Sequence, residues 1–107
     1  MWAEQLKGHL DVLLLSILSR RPAHGYAVAE TLKERSRGAF ALAEGTLYPA
    51  LHRLEEEGAL RSRWATVGGR RRRVYALTRS GRASLNREAR GWRTFAAGVR
   101  GVLEGLG

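Results

Sequence analysis

The chain has 107 residues, a formal net charge of +9, no cysteine and two prolines. Such a length suits one domain with a modest core; the lack of cysteine excludes disulfides and thiolate metal sites. No apolar run reaches transmembrane length and the N-terminus lacks a signal-peptide pattern, so a soluble, cytoplasmic protein is expected. The charge is also local: from Ala59 to Arg93 stand eleven arginines against one acid, Glu88. A field of that kind points to a polyanion or an anionic membrane surface as partner.

The first segment runs from Trp2 to about Ser19. Leu6, Leu10, Leu13, Leu14, Ile17 and Leu18 recur at helical spacing, and Val12 and Leu15 widen the stripe. A stripe this wide serves either the core alone or the core and a second chain. Arg20-Arg21-Pro22 ends the helix, because the residue before a proline is pushed out of the α region.

A second helix is predicted from about His24 to Ser36, burying Ala29, Leu32 and Val28. It opens on His24-Gly25-Tyr26. Unpaired N–H groups and the positive dipole end at a helix N-terminus suit a phosphate. Tyr26 either adds a hydroxyl to that contact or packs in the core. His9, His24 and His52 are too scattered to assemble a metal site, so neither metal nor cofactor is expected.

Ser36-Arg37-Gly38 closes this helix, and Ala39-Phe40-Ala41-Leu42 reads as a brief extended connection. The central stretch follows, a helix over 44–57. Leu47, Leu51 and Leu54 share its inner face, while Gly45, Pro49, His52 and Arg53 project outward. A face that is small at one end and polar further along can approach a DNA major groove and read base edges. An ordinary amphipathic surface helix has the same pattern. Ala43 is a poor N-cap, though Glu44 suits the dipole. Pro49 falls at the edge of the first turn if the helix begins near Thr46, and costs one backbone bond if it begins at Ala43. Gly58 is a natural C′ residue.

A hairpin comes next, over 60–78. Leu60, Ser62, Trp64 and Thr66 alternate with Arg61, Arg63, Ala65 and Val67; Gly68-Gly69 is the turn; Arg70-Arg71-Arg72-Arg73 leads into Val74-Tyr75-Ala76-Leu77. Tyr75 and Leu77 are expected to face inward with Leu60 and Trp64. A glycine turn beside four arginines can enter a minor groove or follow phosphates. Three helices followed by a basic hairpin make a winged helix-turn-helix, a mainly α fold with a small β-hairpin.

The last segment, from Thr78 onward, carries Leu85, Ala89, Trp92, Ala96, Val99, Leu103 and Leu106 in alternating steps of four and three, a heptad seam for helix packing. Phe95 and Val102 flank it. Gly91, Gly98 and Gly105 each precede a seam residue, and either admit a neighbouring helix or fray the end.

The chain resembles the PadR-like transcriptional regulators. The resemblance rests on Leu13 to Leu18, His24-Gly25-Tyr26, Gly45-Thr46-Leu47-Tyr48-Pro49-Ala50-Leu51, Arg53-Leu54-Glu55, Gly58, the wing from Gly69 to Arg73, Val74-Tyr75-Ala76-Leu77-Thr78 and Gly81. It spans essentially the whole chain and implies a winged helix-turn-helix over 1–78 with a dimerisation helix over 79–107, as in the short-tailed subgroup. It implies a cytoplasmic homodimer, usually a repressor, on a palindromic operator. Thr46, Tyr48, Pro49 and His52 match its major-groove contact positions; Ala43 departs from the serine-type cap common there.

The expected double-stranded DNA contacts are therefore Tyr26, Thr46, Tyr48, Pro49, His52, Arg53 and Arg70, Arg71, Arg72 and Arg73. Those at the dimer interface are Leu6, Leu10, Leu85, Ala89, Trp92, Ala96, Val99 and Leu103. The resemblance further implies that Trp92, with Phe95, lines an effector cavity at that interface, unless Trp92 only fills it. The residues form no catalytic constellation, so no enzyme is expected. The remaining alternative is a sequence-nonspecific nucleic-acid-binding or nucleoid-architectural protein.

Overall fold

In the computed structural model, which describes residues 9–105, the leucine stripe of the first segment forms α1, Leu10–Leu18. It buries Leu10, Leu14, Leu15, Ile17 and Leu18, and the chain leaves the helix at Ser19, just ahead of Pro22. Ala23–His24 then makes a two-residue strand, β1, and α2 follows over Gly25–Arg35. The helix starts one residue later than the sequence suggests because His24 is its N-cap: Nδ1 accepts the N–H of Ala27 at 3.4 Å. Val28 and Leu32 carry its buried face. At its end Arg37 takes a left-handed φ of 54°, and Gly38 N–H donates to the Lys33 carbonyl at 2.8 Å.

The connection over 39–42 is not a strand, contrary to its alternating pattern; Phe40 and Leu42 instead both pack against the core. The central helix, α3, spans Glu44–Glu56 with Ala43 as N-cap. Pro49 therefore lies inside the helix, and the bond from position 49 to the Gly45 carbonyl cannot form. Leu47, Ala50, Leu51 and Leu54 are buried. Gly58, at φ 84°, closes α3: Ala59 N–H reaches the Leu54 carbonyl and Gly58 N–H the Glu55 carbonyl, at 2.9 and 3.0 Å.

The hairpin strands are β2, Leu60–Val67, and β3, Arg70–Leu77, paired antiparallel from Leu60↔Leu77 to Val67↔Arg70. Gly68 and Gly69 both have positive φ, as a two-residue hairpin turn of this hand requires. β1 adds to the other side of β3 through Ala23↔Tyr75 and His24↔Val74, so the sheet has three strands in the order β1-β3-β2. That third strand, 50 residues from its partner, was not expected.

α4 spans Arg79–Glu104, 26 residues, or about 39 Å at 1.5 Å per residue. Thr78 caps it, its Oγ1 accepting the Gly81 N–H at 2.9 Å and donating to the Gly58 carbonyl at 2.6 Å. Gly81 rests on the Ala59 carbonyl, where a Cβ would overlap that oxygen. Leu85 reaches the core at 9% exposure. One hydrophobic cluster thus joins α1, α2, α3, the base of the hairpin and the start of α4. Beyond Leu85 the described part of α4 buries no side chain. No helix among the described residues is long and apolar enough to cross a membrane.

Candidate nucleic-acid interface

α3 is held by its leucines, which leaves Glu44, Gly45, Thr46, Pro49 and His52 exposed and Tyr48 half-buried. Tyr48 lies across the start of α2. A Cβ on Gly25 would come within 2.5 Å of Tyr48 Cε1 and 2.9 Å of its hydroxyl oxygen. The glycine of His-Gly-Tyr is thus the seat of the tyrosine of Gly-Thr-Leu-Tyr-Pro, and the two motifs form one surface.

Tyr26 is 59% exposed, which overturns core packing as its role. Its ring stacks beside His24, with 6.4 Å between centroids, and lies 6.0 Å from the Arg72 guanidinium. Burial, and then the charge of Arg72, lowers the His24 pKa below its ordinary 6.5. A neutral imidazole is the form that can accept the Ala27 N–H.

The pleat divides the four consecutive arginines between the two faces of the hairpin. Arg71 and Arg73 pair directly with Thr66 and Trp64, on the face that continues from Leu60 and Tyr75. Arg70 and Arg72 pair with Val67 and Ala65, on the face that also carries Arg61 and Arg63. Arg61 and Arg63, read from the sequence as alternating strand residues and not counted among the expected DNA contacts, share the face of Arg70 and Arg72, as strand alternation counted across the turn requires. Trp64 was expected to be buried with Leu60, Tyr75 and Leu77. It shares their face but is 55% exposed, because the hairpin extends beyond the helices that cover its base.

A chain of two hydrogen bonds runs from β3 through β2 to α3 and ties the wing to that helix. Arg73 Nε–H donates to Ser62 Oγ at 2.8 Å, and Ser62 donates to Glu55 Oε2 at 2.7 Å. A cleft of about 630 Å³ opens between the two elements; Tyr48, His52, Trp64, Arg71 and Arg73 are among its walls. It is cationic on the wing side, through Arg71, Arg72 and Arg73, while Glu55 and Glu56 join Tyr48 and His52 on the helix side.

Arg53 does not join this surface. It turns toward α1, where its two terminal nitrogens meet Asp11 Oδ1 and Oδ2 at 2.5 and 3.1 Å, and one of them also meets Glu57 at 3.2 Å. Its place on the flank of α3 puts the guanidinium within reach of two carboxylates, which hold its pKa above the ordinary arginine value through the Asp11 hydrogen bond first. Arg53 is thus a strut between α1 and α3.

The expected dimer contacts divide as well. Leu10 and Leu85 are corrected: both are buried in this chain's own core, at 8% and 9% exposure, because α1 packs against the base of α4. Leu6 lies outside the described residues. Ala89 and Ala96 are half-buried, and Trp92, Phe95, Val99, Val102 and Leu103 are exposed along α4. The Trp92 ring sits 5.1 Å from His9 and 5.9 Å from Phe95, over a hollow of about 370 Å³ that Asp11 and Glu88 also line. Partial desolvation beside the hollow, and then the charge of Asp11, raises the Glu88 pKa. No group of three or more metal-ligating side chains occurs among the described residues.

Residues 14–87 match the model of the transcriptional regulator PadR-like family. The chain belongs to that family. A transcriptional regulator of Mycobacterium tuberculosis is 46% identical over 69 residues, 64% of each chain. A PadR family transcriptional regulator of Eggerthella lenta is 36% identical, with 97% of this chain and 89% of that one aligned at a TM-score of 0.81. A PadR family transcription regulator of Clostridium difficile is 33% identical, with 89% and 98% aligned at 0.77. Membership makes this chain a DNA-binding transcriptional regulator rather than an enzyme, and its fold is the expected winged helix-turn-helix with a long C-terminal helix.

Proposed function

We propose that this PadR-family regulator is a homodimeric, ligand-responsive repressor of a palindromic operator. The observation that carries the reading is the outer part of α4, where Trp92, Val99 and Leu103 repeat at heptad spacing and stand exposed. An apolar face of that kind favours a second copy, and residues 79–107 then act as the dimerisation helix beside a DNA-binding unit over 1–78. Ala89 and Ala96 complete the seam. In such a dimer the two α3 helices meet successive major grooves, with half-sites about 34 Å apart.

Thr46, Tyr48, Pro49 and His52 supply sequence preference in this reading, and Tyr26 contacts a phosphate at the N-terminus of α2. Arg70, Arg71, Arg72 and Arg73 supply the salt-dependent affinity. An effector held by Trp92 and Phe95 alters the separation of the two heads and releases DNA. Localisation in the cytoplasm follows from that role.

The test is a titration of the promoter of its own gene against scrambled DNA of equal length, over a salt series, with the oligomeric state measured by sedimentation. A preference of about 10³-fold or more, from a dimer, is expected for specific recognition. Equal affinity with a steep salt slope supports the architectural alternative, and a monomer at operator-binding concentration refutes the dimer.

A further inference from the structure

We infer that Trp64 is a backbone-reading residue that packs on deoxyribose and makes the wing prefer DNA to RNA. The inference rests on duplex DNA being the ligand, and not on operator preference or dimerisation.

Trp64 belongs to neither the core nor the arginine run. It stands 55% exposed on β2, on the face that turns toward α3. Along this face the hairpin changes character in steps. Leu60 and Tyr75 are buried, Ser62 is tied to Glu55 of α3, and then come Trp64 with Arg73 and Thr66 with Arg71. The indole is braced by both arginines, whose guanidiniums lie 5.4 Å (Arg73) and 5.8 Å (Arg71) from its ring. Arg73 is itself fixed, by its Nε–H bond to Ser62 and by a side-chain hydrogen bond to the Tyr75 hydroxyl. The outcome is a half-exposed indole with two guanidiniums over its ring, on a wing tied to α3 through Ser62 and Glu55.

The place of this indole decides its ligand. Trp64 and His52 line the same cleft between α3 and the wing. With α3 in a major groove and the glycine turn at the neighbouring minor groove, the strand that divides the grooves runs along the wing side of the cleft, past Trp64 and Arg71 and away from Glu55 and Glu56 on the opposite wall. That strand offers alternating phosphates and sugars. The cations beside Trp64 suit the phosphates, Arg71 above all. The ring then meets the sugar, which in DNA has a CH₂ at C2′ and an apolar surface. Ribose carries a hydroxyl there, and that group is what lets a protein tell RNA from DNA at a given place. An indole face offers it no hydrogen-bond partner, since the only polar group of the ring is the N–H at its edge. The same contact accounts for an exposed tryptophan outside the core: the apolar surface that the two guanidiniums leave open is covered when the backbone is in the cleft.

The experiment uses the full chain and random-sequence duplexes of about 25 base pairs, one DNA and one RNA, so that no operator need be known. Affinities of wild type, Trp64→Ala, Trp64→Phe and Arg71→Gln are measured by anisotropy across a salt series. Trp64→Ala is expected to weaken DNA binding at least tenfold at every salt concentration, with an unchanged slope, because no charge is lost. Trp64→Phe is expected to retain most of the affinity. The RNA duplex should bind wild type and Trp64→Ala alike, so that the DNA preference falls in the variant. Arg71→Gln should instead flatten the slope by about one counterion.

Wild-type affinity in Trp64→Ala overturns the inference, and so does an equal loss on RNA. A loss in Trp64→Ala that flattens the slope as Arg71→Gln does also overturns it, since the ring then serves only to brace the arginines. Circular dichroism of both Trp64 variants separates these results from misfolding, with Trp64→Phe as the reserve if Trp64→Ala fails to fold. A chain without operator preference whose random-duplex binding still depends on Trp64 refutes the repressor and keeps this inference.

Discussion

Replacing Gly25 by alanine should displace Tyr48 and damage DNA recognition far more than folding. The new Cβ would stand 2.5 Å from Tyr48 Cε1. Carbon pairs settle at about 3.5–4.0 Å, so the ring must withdraw by about 1 Å. Overpacking in a tight core costs about 1–3 kcal/mol, and the half-exposed ring can move, so the lower end of about 1 kcal/mol applies. For a domain of this size that lowers Tm by about 4–8 °C. Operator affinity should fall tenfold or more, about 1.4 kcal/mol, because Tyr48 leaves its place at the interface. Thermal unfolding and operator titration of wild type, Gly25→Ala, Tyr48→Ala and the double variant complete the cycle. With Tyr48 truncated, Gly25→Ala should be neutral, or stabilising by up to about 1 kcal/mol through reduced backbone entropy. A penalty in the double variant as large as in the single one would refute the reasoning, since the Cβ would then be meeting something other than the ring.

Protonating His24 should uncap α2. Its folded pKa lies below the ordinary 6.5, so the stability it contributes is complete above that value and declines as pH falls through the folded pKa. His24→Asn, which keeps a capping acceptor, should remove that decline in a series of melts from pH 8 to 5. Gly81→Ala drives a Cβ into the Ala59 carbonyl, which is backbone and cannot yield, so about 3 kcal/mol should be lost in chemical denaturation. Gly91 meets nothing within 4 Å in the chain, so Gly91→Ala should stabilise an isolated helix by up to about 1 kcal/mol. A destabilised dimer in that variant would place a neighbouring helix against Gly91. Val99→Asp puts a charge on the exposed seam of α4, and sedimentation should show monomers that retain the melting behaviour of the DNA-binding unit.

Three features of this protein were legible in the chain alone because they depend on local order. Leucine spacing marked α1 and α3, Gly58 marked the end of α3 and Gly68-Gly69 the hairpin turn, and the concentration of arginine after Ala59 marked a polyanion surface. Each is a periodicity or a backbone preference that neighbouring residues express together. The motif set then sufficed for the family, since His-Gly-Tyr, Gly-Thr-Leu-Tyr-Pro and the basic strand keep their order and spacing.

Tertiary structure decided which side chains those elements share. Arg53 and Trp64 show this: a cation expected on DNA is tied to Asp11, 42 residues away, and an aromatic expected to face the core is exposed on the wing. Periodicity assigns a face but not how far a neighbouring element covers it, so Leu85 joined the chain's own core, as Leu10 of α1 did, while Val99 and Leu103 on the seam of Leu85 stayed exposed. β1 was hidden for a related reason. Two residues cannot display alternation, and their strand exists only because β3 returns beside them. The seat of Tyr48 on Gly25 is likewise a contact between helices, which spacing along one chain segment does not encode. Local order therefore determined the elements and their chemistry, and packing between distant segments determined which of those groups remain available to DNA.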